Sequence, residues 1–492
     1  MKFATYCFAT YCFASLCLAV TAPPAWGTDY HVKSQADFEK LKRHTFAPGD
    51  RILFQRGKRF EGMFAPQGNG EEGSPIRISS TGKGKKPRID AMGRESSGVF
   101  LQDPSFWEID GLEVTNTDGS DKDQGNLFGI HVLANKNEGV FQHVYISNCY
   151  IHDVNGKVAG KHRGGIHVHL QKLERSIFHD LRITNNRVER VGGVGIGNTS
   201  SASRIRFKKD SYETAYLWTK VYVADNFLDS TGRNCIIARC SKDAIYERNT
   251  LANSSRYDTG HSIFCFGTDG IKIQYNEAYG NVGKGGIDRG GFDADFNCVN
   301  TFIQYNYSHD NLWFCGIMKR PTRHVVIRYN LSVNDRDGIY FYGFDSERDA
   351  RDVHIYNNTH FVSKKYRAGV FPEGRTPVNS TFENNIFYFE GKGSWGKKDS
   401  GPGVKFRNNL YVGIEAHRND STPITDEPQF VAAGEAPKNI DLSDMKALLG
   451  YQLRPGSAAI GAGKKIQDNG KLTLEKEKAF SRKPNLGAFG VR

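Results

Sequence analysis

The 492-residue chain carries 66 Lys and Arg against 54 Asp and Glu, with 53 glycines and 16 prolines. So much glycine and proline speaks against a mainly helical chain and fits a turn-rich all-β one. A net charge of +12 without a nucleic-acid-binding motif points to an acidic partner, a uronic-acid or sulfated polysaccharide; the plainer alternative is surplus lysine serving solubility.

Lys2 is the only charge before an apolar stretch from Phe3 to Val20, and Ala25-Trp26-Gly27 supplies the small residues a signal peptidase reads. The stretch is too short and wrongly flanked to span a bilayer. Residues 1–27 therefore read as a signal peptide, and the mature chain as a secreted or periplasmic monomer with no membrane span. Removing Lys2 leaves 65 basic residues against 54 acidic, a charge of +11. Cys149, Cys235, Cys240, Cys265, Cys298 and Cys315 remain in the mature chain. An oxidising compartment permits disulfides, but their places in or beside strand runs favour stacked core thiols, and no disulfide pairing follows from the spacing.

Residues 28–105 read as an N-terminal cap with the first coils. Ser34 is placed to cap a helix that carries Phe38 and Leu41 on one side, and Pro48-Gly49-Asp50 turns into the strand Arg51-Ile52-Leu53-Phe54. From 106 to 415 the chain repeats. Asn186, Asn226, Asn249, Asn276, Asn306, Asn330, Asn358, Asn385 and Asn409 follow runs such as Val325-Val326-Ile327-Arg328-Tyr329, at gaps of 40, 23, 27, 30, 24, 28, 27 and 24 residues. Such a period marks a solenoid, and alternation with period 2 makes its unit a strand. Stacked in parallel about 4.8 Å apart, the Asn amides can hydrogen-bond into a ladder. A second strand set recurs after glycines, as in Gly165-Ile166-His167 and Gly291-Phe292-Asp293. Two strand sets per turn predict an all-β right-handed parallel β-helix of roughly eleven coils. Residues 416–492 lose the rhythm and read as an irregular tail that packs on the coils or closes them.

The opening Pro48-Gly49-Asp50-Arg51-Ile52-Leu53-Phe54, the block Gly290 to Asp295 with Gln304 to Asn311, and Leu453-Arg454-Pro455-Gly456-Ser457 resemble the secreted right-handed parallel β-helix proteins of the pectate-lyase-like superfamily. The resemblance implies the fold and a carbohydrate-active protein. It does not choose among lyases, hydrolases and epimerases.

Aligning the second strand set on its glycines puts His131, His167, Asp293, Met318, Tyr340 and Phe371 in one outward column, with His169, Asp295, Arg320, Tyr342 and Glu373 two residues on. Asp293 and Asp295 lie about 6.5 Å apart by strand rise, a spacing suited to acid and base or to a cation such as Ca²⁺. Arg289 and Arg320 would offset their charge. Lys319 or Arg320 would neutralise a uronate, with His167 or His169 three coils away along the same groove. An insertion carrying Arg206, Lys208 and Trp218, beside a turn carrying Lys161 and Arg163, suits a wall that holds an anionic sugar by charge and stacking. The surplus charge favours a polysaccharide lyase acting by β-elimination. A glycoside hydrolase using Asp293 and Asp295 is the alternative, and a non-catalytic glycan-binding envelope protein the third reading. Calcium is the one cofactor in view, with none at all equally open.

Overall fold

The apolar–polar alternation before each ladder asparagine builds strands, and in the computed structural model these stack wholly in parallel into sheets of fourteen, thirteen and nine strands. The structure describes residues 27–489 except 159, 174, 201–215, 284, 318–321, 344–349, 372–375, 443–444 and 467–482. The molecule is a right-handed parallel β-helix. Each coil contributes a strand to the first sheet, then to the second across the asparagine turn, and most contribute one to the third. The sequence predicts two strand sets, and the structure has three. The strands on either side of the asparagine are separated only by its tight turn, so they read as one run.

The ladder is continuous. From Asn186 to Asn409, each backbone N–H donates to the next asparagine's side-chain carbonyl at 2.9–3.1 Å. Each amide NH₂ donates to the same oxygen and to a strand carbonyl of the preceding coil, as Asn306 does to Asn330 and to Ile273. All nine asparagines are buried, so the ladder satisfies turn groups that have no access to water. The residue before each takes positive φ, for example Tyr275 at 54° and Asn384 at 57°. The C-terminal end is closed by Asp420, whose carboxylate accepts from Asn408 N–H, from Asn409 N–H and side chain, and from Tyr411 Oη.

At the other end the helix Gln35–Leu41, with Ser34 and Asp37 forming a capping box, lays Phe38 on Phe54, Phe60 and Phe64 and so covers the open core. The six cysteines described are buried free thiols, with Cys265 and Cys298 sulfurs 3.4 Å apart. Among the described residues beyond 425, Leu442, Leu448, Tyr451 and Phe489 pack on Tyr307, Leu331, Val333 and Phe361 of the second sheet, and Ile466 on Val326 and Tyr356 of the first. No described helix is long and apolar enough to cross a membrane.

Candidate active site

The third sheet fixes which side chains share a face. Register aligns Phe100, His131, His167, Gly197, Ile237, Phe264, Asp293, Gly316 and Phe341 in one column. Asp293 and His167 do share it, but four strand spacings separate them, about 19 Å, where the sequence reading counts three. Tyr340 and Tyr342 do not belong to it. They pair with Cys315 and Ile317, point into the core, and hydrogen-bond to His360 Nε2 at 2.9 Å and Ser380 Oγ at 2.8 Å. The glycine alignment there is one residue out of register, which moves a side chain to the opposite face. Met318, Lys319, Arg320, Glu373, Arg206 and Lys208 lie outside the described residues. Trp218 is no sugar platform: it is fully buried, its ring 4.7 Å from that of Phe178.

Asp293 sits in the strand Gly290–Ala294 and is 2% exposed. Its carboxyl leans over Gly316, where an added Cβ would fall 2.8 Å from Oδ1, so only glycine leaves it room. Beside it stands His261. The Gly290 N–H donates to His261 Nδ1 at 3.0 Å, which leaves the proton on Nε2. That nitrogen is 3.6 Å from Asp293 Oδ2 and 3.9 Å from Asp288 Oδ1. Burial, then the neighbouring carboxylates of Asp295 and Asp288, push the Asp293 carboxyl well above its ordinary range. Burial pulls His261 down to about 4, so its imidazole is neutral at physiological pH, while the same burial biases Asp293 towards its protonated form.

Asp288 was not singled out by the sequence, because it lies in the loop before the strand rather than in the aligned column. Thr259 Oγ1 accepts from Asp288 N–H at 2.9 Å and donates to its carbonyl at 3.1 Å, and Trp313 Nε1 donates to the Ile287 carbonyl at 2.8 Å. These bonds fix the loop while its side chain stays 38% exposed. Asp295, just past the strand end, is half-buried. The partly exposed Asp288 and the half-buried Asp295 thus flank a fully buried carboxyl.

Cations line the adjoining coil. Lys161 Nζ lies 5.0 Å from the centre of the Phe264 ring, and the Arg239 guanidinium stacks over Phe264 and Phe266 at 5.9 and 5.6 Å. Asp295 is close enough for its charge to act on both. Arg233 pairs with Asp258 at 2.8 Å. Arg289 donates to the Gly283 carbonyl and forms no ion pair with the aspartates among the described residues. Arg163 reaches the Gly125 carbonyl at 3.1 Å, away from the acids.

His167 and His169 are 1% and 3% exposed, not groove-lining, because Phe128 and His162 close over them. His169 Nδ1 lies 3.1 Å from His131 Nε2, and His167 Nε2 lies 3.3 Å from the Val194 carbonyl. Among the described residues no three His, Cys, Asp or Glu side chains are placed to hold a metal ion, so calcium at Asp293 and Asp295 would rest on those two carboxylates.

No family model matches the chain. A curated lacto-N-biosidase of Bifidobacterium longum subsp. longum is 26% identical over 90% of this chain and 34% of its own length. The chain spans about a third of that relative. Two solved structures of GH136 lacto-N-biosidase from Eubacterium ramulus match with TM-scores of 0.60 and 0.54 at 22% and 19% identity. They cover 74% and 81% of this chain and 67% and 66% of theirs, a likeness of fold.

Proposed function

We propose that the protein is a glycan-cleaving glycoside hydrolase whose chemistry runs on Asp288, Asp293 and Asp295. The observation that carries this is the gathering of three carboxyls, Asp288 and Asp293 within 4 Å of His261 Nε2 and Asp295 near enough to act on Asp293, which is buried and titrates well above its ordinary range. Three adjacent carboxylates cannot all ionise. With Asp293 biased towards its protonated form, the less buried Asp288 and Asp295 divide the roles of proton donor and attacking group or base at the glycosidic bond. Lys161 and Arg239, held over the buried Phe264 ring, offset the remaining negative charge. The lacto-N-biosidase relative supports hydrolysis over the β-elimination that the charge alone suggested.

Incubation with oligosaccharide panels should yield new reducing ends without the ultraviolet absorbance of unsaturated products. Asp288→Asn and Asp295→Asn should each lower kcat by about 10²–10⁴-fold, the usual worth of a positioned acid or base. Unsaturated products, or wild-type rates in both variants, would sink the proposal.

A further inference from the structure

A cleft of about 490 Å³ opens at the far end of the same face, remote from the aspartates. It lies where the third sheet begins, at the strand Ser97–Gln102, and its lining includes Arg43, Gln67, Phe100, Asp103 and Lys136. Phe100 belongs to the column that also holds Asp293, six strand spacings or about 29 Å away. Its ring is half-buried and fixed against His131, with centroids 5.4 Å apart, and leaves a ring surface in the cleft.

The charges of the cleft do not cancel locally. Asp103 is its one carboxylate and is already engaged: Oδ1 accepts the backbone N–H of Asn135 at 2.8 Å and of Lys136 at 3.2 Å, and Oδ2 accepts from Gln102 Nε2 at 3.2 Å. Arg43 and Lys136 are exposed, and neither forms an ion pair among the described residues. A fixed aromatic surface and two cations without ion pairs, lining one cleft, suit a sugar that carries an anionic group, the ring taking its apolar face and the cations its charge.

We propose that this cleft is a docking site for an acidic saccharide, sulfated or carboxylated, separate from the hydrolytic centre. It would raise the local concentration of a long or branched glycan at the groove without touching the bond that breaks.

The test is calorimetric titration of the full chain carrying Asp295→Asn, which removes turnover, with tetrasaccharides of chondroitin sulfate, hyaluronan and cellulose. The acidic probes should bind at least 10-fold more tightly than the neutral one, more weakly as salt rises. Arg43→Ala combined with Lys136→Ala should weaken acidic binding at least 10-fold, while the double variant alone hydrolyses small aryl glycosides at the parent rate. A preference of sulfate over carboxylate, or the reverse, would name the anion. Equal affinity for the neutral probe, no binding of either acidic probe, or unchanged affinity in the double variant would overturn the proposal. Acidic binding lost in the double variant, in a protein that hydrolyses nothing, would uphold the cleft and sink only the hydrolase reading.

Discussion

Asp293 shows how far one side chain's chemistry is set by its surroundings. Its raised pKa comes from burial and from two carboxylate neighbours, neither a property of aspartate itself. Asp293→Asn keeps the shape without a charge that burial disfavours, so the fold should hold, with a melting temperature near that of the parent. Its kcat should fall less than in Asp288→Asn or Asp295→Asn, and the acidic limb of the pH–rate profile should shift; a loss equal to theirs would make Asp293 itself the group that meets the sugar. Gly316→Ala is the complementary change. Its methyl would press on Asp293 Oδ1 and on the His261 ring, 3.2 Å away, and should depress kcat while leaving thermal stability almost unchanged. Of this site the sequence made Asp293 and Asp295 legible, because both stand on a strand pattern otherwise apolar. It hid Asp288 and His261, since a loop aspartate and a lone histidine carry no periodic signal.

At the scale of the element, the asparagine ladder is the part most fully legible beforehand. A residue that recurs at each turn of a stack must meet its own copies. Asn306→Ala would strand the Asn276 N–H and amide and the Ile273 carbonyl in the interior. A cost of about 2–3 kcal/mol is expected, two or more buried groups losing their partners, as measured by denaturant unfolding. An equal cost from an exposed substitution such as Lys272→Ala would show that the ladder has no special weight. The ladder's end was not legible, because Asp420 replaces the amide with a carboxylate and lies outside the repeat. The third sheet was legible as strands that follow glycines, but not in its register. Its tyrosines at 340 and 342 look surface-like, yet their hydroxyls find His360 and Ser380 inside, which removes the reason to expect them outside.

For the whole molecule, buried histidines make stability depend on pH. Burial holds His131 and His261 down to about 4, and His167 and His360 down to about 3. Below the ordinary value of about 6.5 the unfolded chain takes up protons that these rings refuse. Their contribution is therefore complete above that value and is lost as pH falls towards 4, by about 1.4 kcal/mol per unit for each ring. Melting curves should show a steep fall from pH 6.5 to 4.5, and a flat profile would contradict the burial. The tail is tied to the coils by Glu277, whose carboxylate accepts from the backbone N–H of Asn439 at 2.8 Å and of Ile440 at 3.0 Å. Glu277→Ala should expose the segment near 440 to proteolysis while the coil stack stays folded.

Repetition alone determined that this chain winds into parallel coils, because a strand recurring at that period has no other way to bury its apolar side. Burial of the cysteines and closure of the open end by an aromatic-bearing helix follow from local pattern in the same way. Which outward residues meet was decided only in three dimensions. Register along the third sheet depends on loops of unequal length, and one residue of slip sends a side chain to the opposite face. The buried carboxyl, the histidine beside it and the cations on the next coil therefore exist as a site only once the stack has formed.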